Sequence, residues 1–364
     1  MPNTRIIGQQ IAVYAGPSPA TGNIQTSGNM VQLTRAQSAN MDWQITRQNI
    51  PVLGSLSPIS QEILEAPTVS LDTSWAVSNL RNDSGIGMYV LTGASNSSGA
   101  LTNIINGSQD SKNYFIKIAP QGQDANTYAG TDCAVISIGN GNLASWSTTA
   151  AVGGIPTTSI TIQGLNAEYD TSCSGVDSPA INPTNGVVMA GQVFTLPPGT
   201  TGTAGQTTVL RPGDLRMNIT QGGSTYNGLG ISSICLQSYN ISFSLALEPQ
   251  QCLGSRFPTN RYATFPVEIQ VGVEAQLKDI ASGSLAALLC NDQPVTIEIT
   301  LADPACGTGI GSDKVRYTIL GAKQTSQPFA AGLQGNGTVS LNFTSTIGGP
   351  NDVSRNIFLS GSIF

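Results

Sequence analysis

The residue types that carry most protein chemistry are scarce in this chain of 364 residues. Histidine, the commonest general acid or base, is absent altogether. Its absence excludes Ser–His and Cys–His catalytic pairs and removes the ligand of most metal sites. Aspartate and glutamate are scattered, without the spacing of a paired-carboxylate site. We therefore expect no enzymatic activity, and we assign no catalytic, metal-binding or cofactor-binding residue.

The cysteines form no metal-binding pattern, because none is part of a C-x-x-C pair. A disulfide framework is open in principle. The start of the chain, "MPNTRIIGQQIAVYAGP", has no apolar signal core, so we expect maturation in a reducing cytoplasm and buried free thiols. The six cysteines are Cys133, Cys173, Cys235, Cys252, Cys290 and Cys306.

One glycine-rich segment, "GTGIGSDK" at 307–314, faintly resembles a phosphate-binding loop. It lacks the G-x-x-x-x-G-K-[ST] spacing and a following helix, so the segment is interpreted as a turn before a strand at 315–319.

The composition favours assembly with other copies of this protein over binding to nucleic acid or to a membrane. Charged residues make up 10% of the chain and the net charge is −6, so the surface must consist largely of Ser, Thr, Asn, Gln and Gly. Such surfaces repel one another weakly and suit permanent assembly. A binder of nucleic acid would need a basic face. No apolar run approaches the roughly 20 residues of a membrane-spanning helix.

Alternating hydrophobicity predicts antiparallel strands along most of the chain. In 266–277, Val267, Ile269 and Val271 alternate with Glu268 and Gln270, which is the period of a half-buried strand. The segment 67–77 alternates in the same way. Upstream segments at 41–48 and 241–248 have the same spacing, so each is predicted to pair with the strand that follows it.

The chain also repeats itself. "QSANMDWQITRQNIPVLGSLSP" at 37–58 and "QSYNISFSLALEPQQCLGSRFP" at 237–258 share seven identities in 22 positions without a gap. Three later strands match at a constant offset of 181. These matches are 114–118 with 295–299, 134–138 with 315–319, and 157–162 with 338–343. Shared order and offset predict two domains of one fold.

Each copy carries one helical signal, at 101–105 and at 285–289, where leucine and isoleucine recur at i, i+3 and i+4. We expect each to be a short helix packed on a sheet. The fall in offset from 200 to 181 places 19 extra residues in the first copy, mostly within 79–98, which we interpret as an extended loop or hairpin.

These patterns predict an all-β fold with minor α content, built from two duplicated β-sandwich or β-barrel domains that each have one short flanking helix. The predicted boundaries are an N-terminal arm at 1–29, domain 1 at 30–170, a Pro/Gly/Thr-rich linker at 171–225, domain 2 at 226–350 and a C-terminal arm at 351–364.

The repeated segments resemble a known family. "MDWQITRQNIPVLGSLSPISQEILEAPTVSLDTSWAV" with "VGGIPTTSITIQGLNA", and "YNISFSLALEPQQCLGSRFPTNRYATFPVEIQVGV" with "GNGTVSLNFTSTIGG", look like tail tube proteins of long-tailed, siphovirus-type bacteriophages. The resemblance covers roughly 260 residues. It implies six tube domains in a ring whose inner strands form one large β-barrel, and rings stacked into a pipe for phage DNA.

With two tube domains per chain, the resemblance implies a homotrimer that makes a pseudo-hexameric ring. It also implies contacts with other tail and neck proteins, DNA that passes without specific binding, a place in the virion tail, and synthesis in the host cytoplasm. The alternatives are another ring component (tail terminator, adaptor or baseplate hub), a secreted carbohydrate-binding or adhesin module, and a β-rich enzyme.

Two sets of residues are predicted to act in assembly. The polar faces of the paired strands are expected to face the lumen, with an outer solvated face as the alternative; they are Asp42, Gln44, Ser70, Asp72, Ser74, Ser242, Ser244, Glu268, Gln270 and Glu274. The extra segment is expected, together with both termini, to stack ring on ring through Asn82, Asp83, Met88, Tyr89 and Leu91.

Overall fold

The structure is a computed structural model of the whole chain, and part of the chain is described here. The described residues are 6–18, 26–92, 98–107, 111–182, 185–189, 193–199, 210, 215–258, 260–290, 292–302, 313–331, 336–352 and 356–363. The 211–214 turn, Cys306 and most of the 307–314 segment lie outside them.

Among the described residues, the first half of the chain contains thirteen strands and two short helices. They are β1 (Ile11–Pro17), β2 (Val31–Leu33), β3 (Ala36–Gln44), β4 (Arg47–Ile50), β5 (Ser60–Ile63), β6 (Thr68–Ala76), α1 (Arg81–Gly85), β7 (Val90–Leu91), α2 (Thr102–Ile105), β8 (Lys112–Ile118), β9 (Ala134–Ala151), β10 (Thr157–Gly164), β11 (Asn166–Asp170), β12 (Ser174–Val176) and β13 (Phe194–Thr195).

The described part of the second half contains eleven strands and one helix. They are β14 (Leu215–Gln221), β15 (Ser224–Thr225), β16 (Ile231–Ser244), β17 (Leu247–Gln250), β18 (Asn260–Ala263), β19 (Val267–Ile280), α3 (Leu285–Cys290), β20 (Val295–Ala302), β21 (Asp313–Ser326), β22 (Phe329–Ala330), β23 (Thr338–Ile347) and β24 (Ile357–Gly361). Short 3-10 turns lie at Gly8–Gln10, Ser27–Asn29 and Pro350–Asp352. The prediction of an all-β fold with minor α content is confirmed.

The two halves share one strand connectivity. In the first repeat (β1–β11), an inner sheet runs β3-β6-β10-β9 and an outer sheet runs β1-β8-β9-β11. In the second repeat (β14–β24), the inner sheet runs β16-β19-β23-β21 and the outer sheet runs β14-β20-β21-β24. Strands β9 and β21 are long enough to belong to both sheets of their repeats.

The repeats also share irregularities of register. The β3–β6 ladder skips one residue at Gln37, and the β16–β19 ladder skips one at Gln237, 200 positions later. Strands β9 and β21 pass from the outer to the inner sheet at Asn140 and Gly321, which both have positive φ, 52° and 68°. Asparagine and glycine are the residues that most readily adopt this conformation.

One predicted match is wrong by two residues. The sequence aligned Tyr114–Ile118 with Val295–Ile299, but the pairing with β9 and β21 makes 114–118 equivalent to 297–301. A shift of two keeps every side chain on the same face of the sheet, so hydrophobic patterning could not detect the error.

Each predicted terminal arm contains a strand of an outer sheet. Strand β1 lies in the predicted N-terminal arm, yet it pairs along its whole length with β8. The C-terminal strand β24 pairs with β21 and buries Ile357, Phe358 and Leu359. Both strands complete outer sheets, because β1 and β14 flank equivalent strands, as do β11 and β24.

The predicted linker is partly integrated into the first repeat. Phe194 and Leu196 join a hydrophobic cluster with Tyr14 and Phe115, on the side of the outer sheet away from the main core. Cys133 and Cys173 form a disulfide with a Cα–Cα distance of 5.5 Å. The prediction of free thiols is therefore wrong for this pair, because the linker folds back against the start of β9. Cys235 and Cys252 are free.

Where it is described, the extra segment of the first repeat contains the short helix α1 and the two-residue strand β7, and not the predicted extended loop or hairpin. Strand β7 pairs in parallel with β24, and α1 packs against β2. Helices α2 and α3 occur where the sequence predicted them. Ile104 of α2 and Leu101, the residue before the helix, are buried as expected, whereas Leu285 and Leu289 of α3 are exposed.

Candidate assembly surface

The inner sheets of the two repeats join into one sheet. Strand β9 pairs antiparallel with β16 over seven residue pairs, from Ser145↔Ser244 to Ala151↔Ser238. This pairing, called the seam below, makes a continuous inner sheet in the order β3-β6-β10-β9-β16-β19-β23, and β21 and β22 follow.

One face of the inner sheet is polar from end to end. Residues opposite each other on antiparallel strands project to the same side. A single row across seven strands reads Ser38, Ser74, Ser159, Ser147, Ser242, Gln270 and Thr344. A parallel row contains Asp72, Thr161, Ser145 and Ser244.

All ten residues predicted to face a lumen lie on this one polar face. Asp42 is opposite Ser70, and Gln44 is opposite Thr68. Glu268 and Glu274 lie two and four residues from Gln270 on β19, and so project to the same side. The structure therefore brings together residues of both repeats that are up to 232 positions apart in sequence (from Asp42 to Glu274).

Hydrogen bonds between neighbouring strands order the polar face. Thr161 Oγ1 donates to Asp72 Oδ1 at 2.7 Å, and Ser238 Oγ donates to Glu274 Oε2 at 3.1 Å. Over the second repeat the face is concave, and β9, β16, β19 and β23 line an open depression of about 580 Å³. Short hydroxyl and amide side chains give this surface many weak hydrogen-bonding groups and few charges.

The opposite side of the seam is apolar and tightly packed. Trp146 stacks on Phe243 with ring centroids 5.5 Å apart, and Tyr317 contacts Trp146 at 6.0 Å. Trp146 Nε1 donates a hydrogen bond of 2.9 Å to Asp83 Oδ1. Burial raises the pKa of Asp83 to about 7, although the hydrogen bond from Trp146 lowers it. The seam is thus built like the interior of a domain.

The predicted stacking residues do not lie on an exposed loop. Asn82, Asp83, Met88 and Leu91 are buried within the chain. Asn82 Oδ1 accepts a hydrogen bond from the Thr34 backbone amide, and Asn82 Nδ2 donates to the Thr34 carbonyl. These four side chains belong to the interior of the chain, and their role in ring stacking stays a prediction. Tyr89 is half-buried.

Sequence reasoning missed two exposed hairpins, which carry the repeated Leu-Gly-Ser. Hairpin β4–β5 and hairpin β17–β18 project beyond the inner sheet with identical registers, 200 positions apart. Leu53, Leu56 and Leu253 are fully exposed at the hairpin tips. Gly54 and Gly254 both have a φ of 89°, which explains why glycine recurs there. The shared residues were visible in the sequence, but their exposure was not.

The described residues hold no group of three or more His, Cys, Asp or Glu side chains placed to bind a metal ion. No helix in this part of the chain has the length and apolar character required to span a membrane.

Comparison with known proteins gives little. No protein-family model matches the chain, and no curated protein matches it. Among solved structures, the chain is similar to a chain in the six-fold symmetrised cryo-EM structure of the anti-feeding prophage baseplate. The alignment covers 37% of this chain and 92% of that chain, at 13% identity and a TM-score of 0.25.

Proposed function

We propose that this protein is a structural subunit of a ring, with the polar face of the inner sheet lining a central channel. The observation that carries the proposal is the seam, where two equivalent repeats join edge to edge and their polar faces become one surface. An open sheet leaves edges that must be paired or covered, and closure around an axis removes them.

The finer proposal is the major tail tube subunit of a long-tailed phage, with three chains in a pseudo-sixfold ring and stacked rings conducting DNA. It is supported by the sequence resemblance, the duplicated connectivity and the composition of the polar face. The charged residues among its ten predicted members are all acidic: Asp42, Asp72, Glu268 and Glu274. A wall of hydroxyls, amides and a few carboxylates would not hold phosphates, so DNA could slide past it.

The exposed hairpins suggest how rings stack in this proposal. Leu53, Leu56 and Leu253 would be buried if each hairpin reached onto the next ring. Burying a leucine contributes about 1.5–3 kcal/mol, so several per chain would hold a tube together. Tail terminators and hubs would form rings that do not extend indefinitely, so the length of the assembly separates them from a tube protein.

Electron microscopy of the purified protein tests the proposal. We expect rings with threefold symmetry and six similar lobes, and long tubes at high concentration. Replacing Leu53, Leu56 and Leu253 by serine should leave rings and abolish long tubes. A protein that stays monomeric at all concentrations would overturn the ring proposal.

The position of the polar face is tested by labelling. A maleimide gold cluster on an Asp72→Cys variant should appear at the ring axis in class averages. The matched control is Asn218→Cys, on the exposed face of outer strand β14, which should place gold at the rim. Wild-type protein treated with the same reagent accounts for the native thiols. Gold at the rim in both variants would show that the polar face is outside.

A further inference from the structure

The inner sheet ends in two open edges. Within the described residues, β3 pairs only with β6, and β22 pairs only with β23. Each edge has an equivalent that is already paired inside the chain. Strand β3 corresponds to β16 at an offset of 200, and the end of β21 with β22 corresponds to the end of β9 at an offset of 181. The strand pairing at the seam therefore shows the register in which the two open edges can pair.

Apolar side chains on the β3 edge are exposed where their equivalents at the seam are covered. Trp43 on β3 is 55% exposed, and its equivalent Phe243 on β16 is 3% exposed. Met41 is half-buried, and its equivalent Ile241 is fully buried. An edge strand that ends a sheet in solvent normally avoids such residues.

The opposite edge shows the same difference. Phe329 on β22 is 61% exposed, whereas the equivalent Thr148 on β9 is fully buried. Leu289 on α3 is 77% exposed, whereas the equivalent Ile105 on α2 packs against the core. Helix α2 is sheltered at the seam, where Ile105 shares a cavity with Leu245 and Leu247 of the second repeat. Helix α3 has no such neighbour among the described residues.

The proline in this edge does not block pairing. The amide of Ser340 donates to the Pro328 carbonyl at 3.0 Å, so the backbone groups of Pro328 point toward β23. The N–H and C=O groups of the flanking Gln327 and Phe329 therefore point away from β23, toward the open side. The missing N–H of proline falls on the side that is already paired.

We propose that the β22 edge of one chain pairs antiparallel with the β3 edge of a second copy, in the register of the seam. The proposal rests on the ring function above and names its partner surface. The register follows from the offsets of 200 and 181. It places Ser326 opposite Gln44, Gln327 opposite Trp43, Pro328 opposite Asp42, Phe329 opposite Met41, and Ala330 opposite Asn40.

The same placement covers the exposed helix. The equivalents of Leu245 and Leu247 in the next chain are Ile45 and Arg47, so α3 meets the start of hairpin β4–β5 of that chain. The contact between two chains then has the same strand pairing and the same helix packing as the seam within one chain. A head-to-tail contact of this kind closes into a ring or continues as an open chain, depending on its rotation.

Disulfide trapping tests the register. Asn40 and Ala330 are exposed, so Asn40→Cys with Ala330→Cys should leave the fold intact. Mild oxidation should link chains through these two positions. The internal control is Thr149→Cys with Asn240→Cys, the equivalent pair at the seam, which should close within one chain. The off-register control is Asn40→Cys with Ser326→Cys, on the same face four residues away, which should not link.

The possible outcomes distinguish the proposed pairing register from the proposed three-chain ring. Linked products that stop at three chains support both proposals. A ladder beyond three supports the register and overturns the closed three-chain ring. Rings in which the off-register pair links and the in-register pair does not would overturn the register alone. Protein that remains monomeric overturns both. Single-cysteine variants identify links made through the free Cys235 or Cys252.

Discussion

The seam and the open edges are built from equivalent strands, but the side chains are buried at the seam and exposed to solvent at the edges. At the seam, Phe243 stacks on Trp146 and is shielded from water. On the β3 edge, the equivalent Trp43 stands largely in solvent. The comparison teaches that equivalent strands of one chain can be covered at the seam and left open at an edge of the sheet.

The outer sheets of the two repeats have equivalent strands, but the surfaces of these sheets differ. In the first repeat the outer sheet is covered by part of 171–199, held by the disulfide and by Asn140, whose side chain pairs with the Ile181 backbone at 2.7 and 3.1 Å. In the second repeat, Arg316 bridges Glu298 and Asp313 on the corresponding face of the outer sheet. The inner surface is alike in both repeats, and the outer surface is not.

The largest expected effect comes from breaking the seam. Phe243→Ala should lower the free energy of unfolding by about 3–5 kcal/mol, because it removes a buried ring from a packed core. The matched change Trp43→Ala should alter the stability of the separated chain by less than about 0.5 kcal/mol but weaken assembly. Denaturant unfolding and light scattering measure the two effects. Equal losses of stability in the two variants would show that Trp43 at the open edge is as well packed as Phe243 at the seam.

The disulfide should matter next. Replacing Cys133 and Cys173 by serine should lower stability by about 2–4 kcal/mol, because the bond closes a loop with a sequence separation of 40. Thermal melting with and without a reductant measures this effect. The Cys235→Ser, Cys252→Ser variant should keep the sensitivity to reductant. A wild-type melting temperature that reductant leaves unchanged would contradict the prediction.

Asp83 should give the seam a pH dependence. Its pKa is raised from the ordinary 3.8 to about 7 in the folded chain, mainly by burial. The folded state therefore holds a proton that the unfolded state releases, so this contribution is complete below about pH 4 and is lost as pH rises to about 7.

Melting of wild type and Asp83→Asn between pH 4 and 8 checks this sign. The variant keeps an acceptor for Trp146 and should lose less stability over this range than wild type. Asp72→Asn, an exposed change on the polar face, should follow wild type. Identical profiles for wild type and Asp83→Asn would contradict the assignment.

The smallest effect is expected on the outer sheet of the second repeat. Arg316 lies 3.1 Å from Glu298 and 2.9 Å from Asp313, but all three side chains are partly exposed. Arg316→Ala should therefore cost at most about 1 kcal/mol, and less in high salt. Unfolding at low and high ionic strength measures this. A larger loss that salt does not reduce would mean that Arg316 acts through packing.

Much of the fold could be predicted because β periodicity is local. Alternation of apolar and polar residues located β3, β6, β16 and β19 and placed ten polar side chains on one face, since side chains of a strand alternate regardless of the partner. The constant offsets located the second copy. The same logic failed at β8, where a shift of two residues preserved the pattern.

Burial of the extra segment and of the termini could not be predicted. Asn82 and Asp83 are polar and lie in a Gly/Ser-rich stretch, which is typical of a surface loop. They are buried because Thr34 and Trp146, distant in sequence, supply their hydrogen bonds. No local pattern reports such a partner.

By itself, the sequence determined the strand class, the duplication and the two-sided character of the inner strands, because each depends on residue order alone. The tertiary structure decided that the two inner sheets join at β9 and β16, that β1 and β24 complete the outer sheets, and which copy of each equivalent residue is buried. Those features depend on edges meeting across long separations, and backbone hydrogen bonding between edges leaves almost no trace in side-chain pattern.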